Sequence, residues 1–165
     1  MASFIDVYYD IKLSKNYIIT GNVGYIRSYD YDNNLLYKRY CDKINNKHYS
    51  LVINDKDKII KLIGSCSDGF IRIWDFHSNK LLSKIKISND YLHGICLWDI
   101  QFLFVACKDG TIKIIDLKNK NIIKSIVAYE NWVSNVKKII HPKYGECLVS
   151  QGGSNAQIKL WINKF

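Results

Sequence analysis

Short apolar runs alternate with polar turns from one end of the chain to the other, and the runs have the length of strands rather than helices. Phe4 to Leu13 alternates strictly and sets Ile5, Val7, Tyr9 and Ile11 on one side, the two-residue period of a half-buried strand. Further along, four such runs follow one another: Gly94 to Ile100, Phe102 to Cys107, Thr111 to Asp116 and Ile122 to Val127. Lys108-Asp109-Gly110 between the second and third is a tight turn, because Gly accepts a positive φ without steric cost and an Asp side chain bonds the backbone ahead of it. Ser67-Asp68-Gly69 has the same form. Connections this short leave little room for helices, and the chain reads as all-β, in antiparallel hairpins.

The runs recur as a unit. Ile71-Arg72-Ile73-Trp74-Asp75 returns as Ile112-Lys113-Ile114-Ile115-Asp116 and as Ile158-Lys159-Leu160-Trp161, with a fainter first copy at Ile26-Arg27-Ser28-Tyr29-Asp30. Measured on the residue closing the preceding turn (Gly24, Gly69, Gly110, Ala156), the offsets are 45, 41 and 46 residues, the length of a β-propeller blade. Four strands per unit predict blades at 4–45, 46–88, 89–128 and 129–165 within one domain, 1–165. The last unit stops after its third strand at Trp161, so it lacks an outer strand. The one proline, Pro142, lies in the turn His141-Pro142-Lys143-Tyr144-Gly145 between the first two strands of that unit.

Composition narrows the class further. Hydrophobic residues make up 48% and aromatics 13%, with 12 Tyr, which suits pleated half-buried surfaces. No apolar stretch approaches the 18 residues of a membrane span, and Met1 to Asp10 carries no basic flank before an apolar core, so an intracellular location, cytoplasmic or nuclear and off the membrane, is expected. The net charge of +9 raises nucleic acid as a partner, but only Arg27, Arg39 and Arg72 are arginines. The remaining basic residues are lysines dispersed along the chain, without the Arg clusters of dedicated phosphate or base readers, and nucleic acid is the less favoured partner. Cys41, Cys66, Cys96, Cys107 and Cys147 form no Cys-x-x-Cys pair, and His48, His77, His93 and His141 have unrelated spacings; neither a metal nor a cofactor is expected. Ser, His and Asp sit at equivalent turn positions unit after unit, as structural residues do, and no phosphate loop or paired-carboxylate motif accompanies them; an enzyme is not predicted.

Leu62 to Asp75, with its strand, Asp68-Gly69 turn, strand and closing Trp74-Asp75, resembles a repeat of the WD-repeat β-propeller family. Phe102 to Asp116 repeats the pattern through Asp109, Gly110 and Asp116 with Ile115 in the Trp place, and Cys147 to Trp161 keeps the Trp but lengthens the turn to Gly152-Gly153-Ser154-Asn155. The resemblance implies that each blade opens near a Gly-His pair, whose His joins the turn Asp, a strand hydroxyl and the Trp. Here Tyr129 stands in the His place of the last unit, and His48 could serve the second. Packing between blades, more than this polar group, is expected to hold the fold. Four blades are few for the family, so the chain also reads as the C-terminal part of a larger propeller or a shortened paralogue, and its open blade edges invite self-association. By resemblance the function is a non-catalytic scaffold holding a protein or peptide through blade-end loops. Tyr91, Tyr129, Asn131 and Trp132 are the expected contacts, since interface hot spots favour rigid aromatics. The alternative is a lysine-lined rim (Lys15, Lys80, Lys118, Lys120, Lys143) touching nucleic acid or another polyanion.

Overall fold

The computed structural model describes residues 4–42, 46–55 and 59–162, with 50–52 in backbone alone. Among the described residues fifteen strands form four antiparallel sheets arranged as a four-blade β-propeller, each sheet a meander with its strands in chain order. Blade 1 contains β1 (Phe4–Asp10), β2 (Lys15–Gly21), β3 (Ile26–Asp30) and β4 (Leu35–Tyr40). Blade 2 contains β5 (His48–Asn54), β6 (Lys61–Cys66), β7 (Phe70–Asp75) and β8 (Leu81–Lys86), and blade 3 contains β9 (Leu92–Leu97), β10 (Phe102–Cys107), β11 (Thr111–Asp116) and β12 (Asn121–Val127). Blade 4 has three strands, β13 (Val133–His141), β14 (Gly145–Gly152) and β15 (Gln157–Ile162).

The repeated Asp closing each third strand makes the turn that follows. Asp30, Asp75 and Asp116 each accept hydrogen bonds from the backbone N–H groups two and three residues on, at 2.8–3.3 Å. Four residues after each Asp the chain enters the left-handed region, at Asn34, Asn79 and Lys120 (φ 54°, 55° and 58°). The outer hairpins of all three complete blades carry a bulge at the Trp position or just before it, between Ser28 and Tyr29, Ile73 and Trp74, and Ile114 and Ile115.

Side chains alternate between the two faces of each blade, so every sheet offers one apolar face to the blade before it and one to the blade after it. The seam between blades 1 and 2 is aromatic, joining Tyr8, Tyr17 and Tyr40 to Trp74 and Phe76. The middle seam is aliphatic, with Ile63, Ile71, Ile73 and Ile85 against Leu103, Val105 and Ile115. The third mixes Phe104, Ile112 and Ile114 with Tyr129, Val136 and Leu148. Cys66, Cys96, Cys107 and Cys147 are buried, and Cys41 is exposed.

Two expectations are corrected. The first strand of blade 3 runs from Leu92 to Leu97 rather than Gly94 to Ile100, because Asp99 accepts bonds from the N–H groups of Gln101 and Phe102 and turns the chain there. The alternating side of β1 is exposed: Ile5, Val7 and Tyr9 are 71%, 63% and 50% accessible, while Tyr8 and Asp10 point inward. The cause lies in the arc. β5 packs on β9 and β9 on β13, but among the described residues no comparable contact joins β13 back to β1, and the outer faces of blades 1 and 4 are left uncovered.

Candidate partner-binding surface

The connections between blades and the turns between second and third strands share one rim. Gly69 and Gly110 show why these turns need Gly. Each has a positive φ (77° and 82°), and an added Cβ would lie 1.9 Å from the Ser88 carbonyl oxygen and 2.2 Å from that of Tyr129, on the next inter-blade connection. In blade 4, which lacks this Gly, Ala156 holds the conformation at φ 50°.

The residue just before each of three inner strands is pinned in the same way: its carbonyl accepts an N–H from that blade's own turn. Ser67 N–H bonds Lys47 at 2.9 Å, Lys108 N–H bonds Tyr91 at 3.0 Å and Gly153 N–H bonds Trp132 at 2.8 Å. The backbone is held while the side chain points outward, and Tyr91 and Trp132 remain 43% and 41% exposed. Lys108 Nζ stands 4.7 Å over the Tyr91 ring and 3.5 Å from the Asp90 carboxylate. Exposed Asn131 donates to Ser154 Oγ at 2.6 Å, next to a recess of about 210 Å³ bounded by Glu130, Asn131, Ser154 and Gln157. A second hollow of about 600 Å³ lies on this rim between blades 2 and 3, among Lys86, Asn89, Asp90, Asp109 and Lys113.

Tyr129, grouped with these residues on sequence, is placed differently. It is 4% exposed, and its hydroxyl meets Ser150 Oγ at 2.9 Å and the Ser150 carbonyl at 2.8 Å, while Trp161 Nε1 donates to the same Ser150 Oγ at 2.8 Å. Tyr129 and Ser150, both buried, and the partly buried Trp161 thus form a relay beneath the connection that carries Asn131 and Trp132.

Blade 2 carries a different buried group. His48 Nδ1 lies 3.1 Å from Cys66 Sγ, and its ring sits edge-on to Trp74 at 5.8 Å. Trp74 Nε1 itself is buried without a hydrogen-bond partner among the described residues. Burial, reinforced by the Arg72 charge, pushes His48 down to about 4, and burial pushes the Cys66 thiol up to about 12, so the pair is a neutral contact. Asp68 is turned away from His48 and binds Arg72 through both carboxylate oxygens, at 2.9 and 2.6 Å. Burial raises the Asp68 carboxyl, but the guanidinium outweighs it and holds the group below the ordinary carboxylate range. Arg72 Nε also reaches Asp42, in the connection leaving blade 1, at 2.8 Å. The sequence pattern did not expose this Arg–Asp fork; the signal available was an Arg four residues after the turn Asp.

On the opposite rim, Lys80, Lys118, Lys120 and Lys143 are exposed, and Lys15 is paired with Asp30 at 2.7 Å. An interblade recess of about 420 Å³ lies there, lined by Ile63, Ile73, Leu117, Lys118 and Lys120 among others. Among the described residues no helix is long and apolar enough to cross a membrane.

Residues 46–75 match the family model "WD domain, G-beta repeat". Seventy residues, 42% of the chain, are 26% identical to the U3 small nucleolar RNA-associated protein 21 homolog of Schizosaccharomyces pombe, of which they span 8%. The chain is similar in structure to the RRP9 WD40 repeats, with a TM-score of 0.74 and 14% identity over 88% of this chain and 44% of that one. It is also similar to the computationally designed Ika4 protein, with a TM-score of 0.69 and 15% identity over 90% of this chain and 86% of that one. It therefore spans a small part of the curated relative and under half of the RRP9 structure.

Proposed function

We propose that this four-blade propeller of the WD-repeat type is a non-catalytic scaffold that holds a protein or peptide on the rim formed by its inter-blade connections. The observation that carries this reading is the pair Tyr91 and Trp132, aromatic side chains about two-fifths exposed on backbone pinned by the neighbouring turn. A rigid aromatic loses little conformational freedom on contact, so it is an efficient anchor. Asn131 supplies polar contact beside Trp132, whereas Tyr129 supports the loop from inside. The neutral His48–Cys66 pair offers neither a thiolate nor a charged imidazole for chemistry at neutral pH.

The test is crosslinked capture of partners from cells in which the chain is native. Trp132→Ala and Tyr91→Ala should each deplete the captured set while leaving the melting temperature within a few degrees, and Lys118→Ala on the opposite rim should leave capture intact. Loss of folding in Trp132→Ala would assign that side chain to packing, and retained capture in both rim variants would remove the proposal.

A second reading is favoured by the similarity to a protein named for its association with U3 small nucleolar RNA. On this reading the lysine rim contacts RNA, and the location is nuclear. Binding to a labelled RNA homopolymer should then fall steeply as salt rises, and Lys118→Ala with Lys120→Ala should flatten that slope. Affinity indifferent to salt would exclude the lysine rim. The open blade faces also support self-association.

A further inference from the structure

We propose that the two uncovered blade faces are complementary halves of one seam, and that two copies of this chain close head to tail into an eight-blade ring. The cross-strand registers identify the halves. In blade 1, Val7, Ile18, Tyr29 and Leu36 form one row across the four strands. The matching row of blade 2, Ile53, Leu62, Trp74 and Leu81, is packed against blade 1, and that of blade 3, with Leu103 and Ile115, against blade 2. Leu62, Trp74, Leu103 and Ile115 are fully buried, whereas Val7 and Leu36 are 63% and 54% exposed.

The other end mirrors this. Ile158 and Leu160 occupy the register positions of Ile71 and Ile73 in blade 2 and of Ile112 and Ile114 in blade 3, which are nearly or completely buried against the following blade. At the free end Ile158 is 72% and Leu160 39% exposed. A forward face meets a backward face at every internal seam, and the chain carries one of each without a partner.

A polar position points the same way. Arg72, Lys113 and Lys159 occupy one register position, and each reaches back to the preceding blade, onto Asp42, the Ile87 carbonyl and the Ala128 carbonyl. Arg27 holds that position in blade 1, where the described residues supply no preceding blade, and its Nε is buried without a hydrogen-bond partner among the described residues.

A second copy is the occupant that fits. The four blades correspond to 44% of the RRP9 WD40 structure, with a TM-score of 0.74, so the arc fits within a propeller longer than itself. A twofold axis joins forward face to backward face twice and leaves neither open. Eight blades lie within the range over which propellers close. Blade 4, with three strands among the described residues, makes each new seam three strands against four, with its inner part intact.

The experiment is sedimentation equilibrium of the 165-residue chain over a wide concentration range, with Val7→Arg and Ile158→Glu variants, whose sites are exposed in the single chain. The expected mass is twice 19.2 kDa, constant with concentration. Each variant alone should weaken the dimer by at least about tenfold, as a charge placed in an apolar contact does. Mixed in equal amounts, the two should dimerise again, because one seam is then unaltered and the other carries opposite charges. Circular dichroism of each variant separates loss of pairing from loss of folding, and recovery on mixing shows that both fold. A monomer at all concentrations would overturn the proposal and assign the faces to another protein. A dimer insensitive to both variants, one not restored by mixing, or a mass that keeps growing with concentration would overturn it as well.

Discussion

Arg72 is fully buried, and a guanidinium survives burial only when its donors find acceptors. Its contacts with Asp68 and Asp42 tie the turn of blade 2 to the chain leaving blade 1, so one side chain locks a seam. Arg72→Ala should cost about 2–3 kcal/mol, discounted because both carboxylates are partly exposed, and chemical denaturation would measure it. Trp74, the largest fully buried side chain among the described residues, fills the same seam from the same face of blade 2, and Trp74→Ala should cost about 3–5 kcal/mol. An unchanged unfolding midpoint would contradict its place in the core. His48 confers a pH dependence. Its folded pKa is depressed from 6.5 to about 4, so the unfolded chain binds the proton more readily and stability falls as pH drops from 6.5 towards 4. The contribution is present in full well above pH 6.5, and its loss on acidification, on the order of 2–3 kcal/mol, should be absent from His48→Gln relative to its own value at neutral pH. Fluorescence-monitored denaturation at pH 7 and pH 5 would read it.

At the scale of elements, the turns carry the most information per residue. Asp68-Gly69 and Asp109-Gly110 were legible in the sequence because each requirement, a positive φ and a carboxylate bonding forward, narrows the residue choice to one or two. Gly110→Ala should destabilise by about 1–3 kcal/mol through the left-handed backbone, with more if the Tyr129 carbonyl cannot move; differential scanning calorimetry would show a lower midpoint. Strand ends were less legible. Trp98 and Ile100 extend an apolar run that a single Asp99 side chain terminates, and hydrophobicity does not distinguish a strand residue from an apolar turn residue. The alternation in β1 was correct, but which side faces a neighbour depends on whether a blade precedes it, and that is not a local property. In the candidate surface, Tyr91 and Trp132 were legible as aromatics at the joints between units. Tyr129 was not, because the acceptor that draws it inward, Ser150, lies 21 residues away in another strand.

For the whole molecule, stability should grade along the arc, since each blade contacts only its neighbours. Blades 2 and 3 have seams on both sides, and amide exchange should be slowest in β6, β7, β10 and β11 and fastest in β15 and β4. Uniform protection across all four blades would indicate a closed ring, and in the dimer β15 should move towards the protected group. The three seams differ in substance: tyrosines and Trp74 in the first, isoleucine and leucine in the second, and a Tyr129–Ser150–Trp161 relay beside Phe104 in the third. Repeated units risk docking one place out of order during folding, since their backbones are interchangeable. Here a blade shifted by one place would set the Tyr40 hydroxyl against isoleucine, away from the Phe76 carbonyl it now bonds, and would pull Tyr129 from Ser150. The unlike seams therefore act as addresses, and blade order is written into the side chains of each joint as well as into the connectivity of the chain.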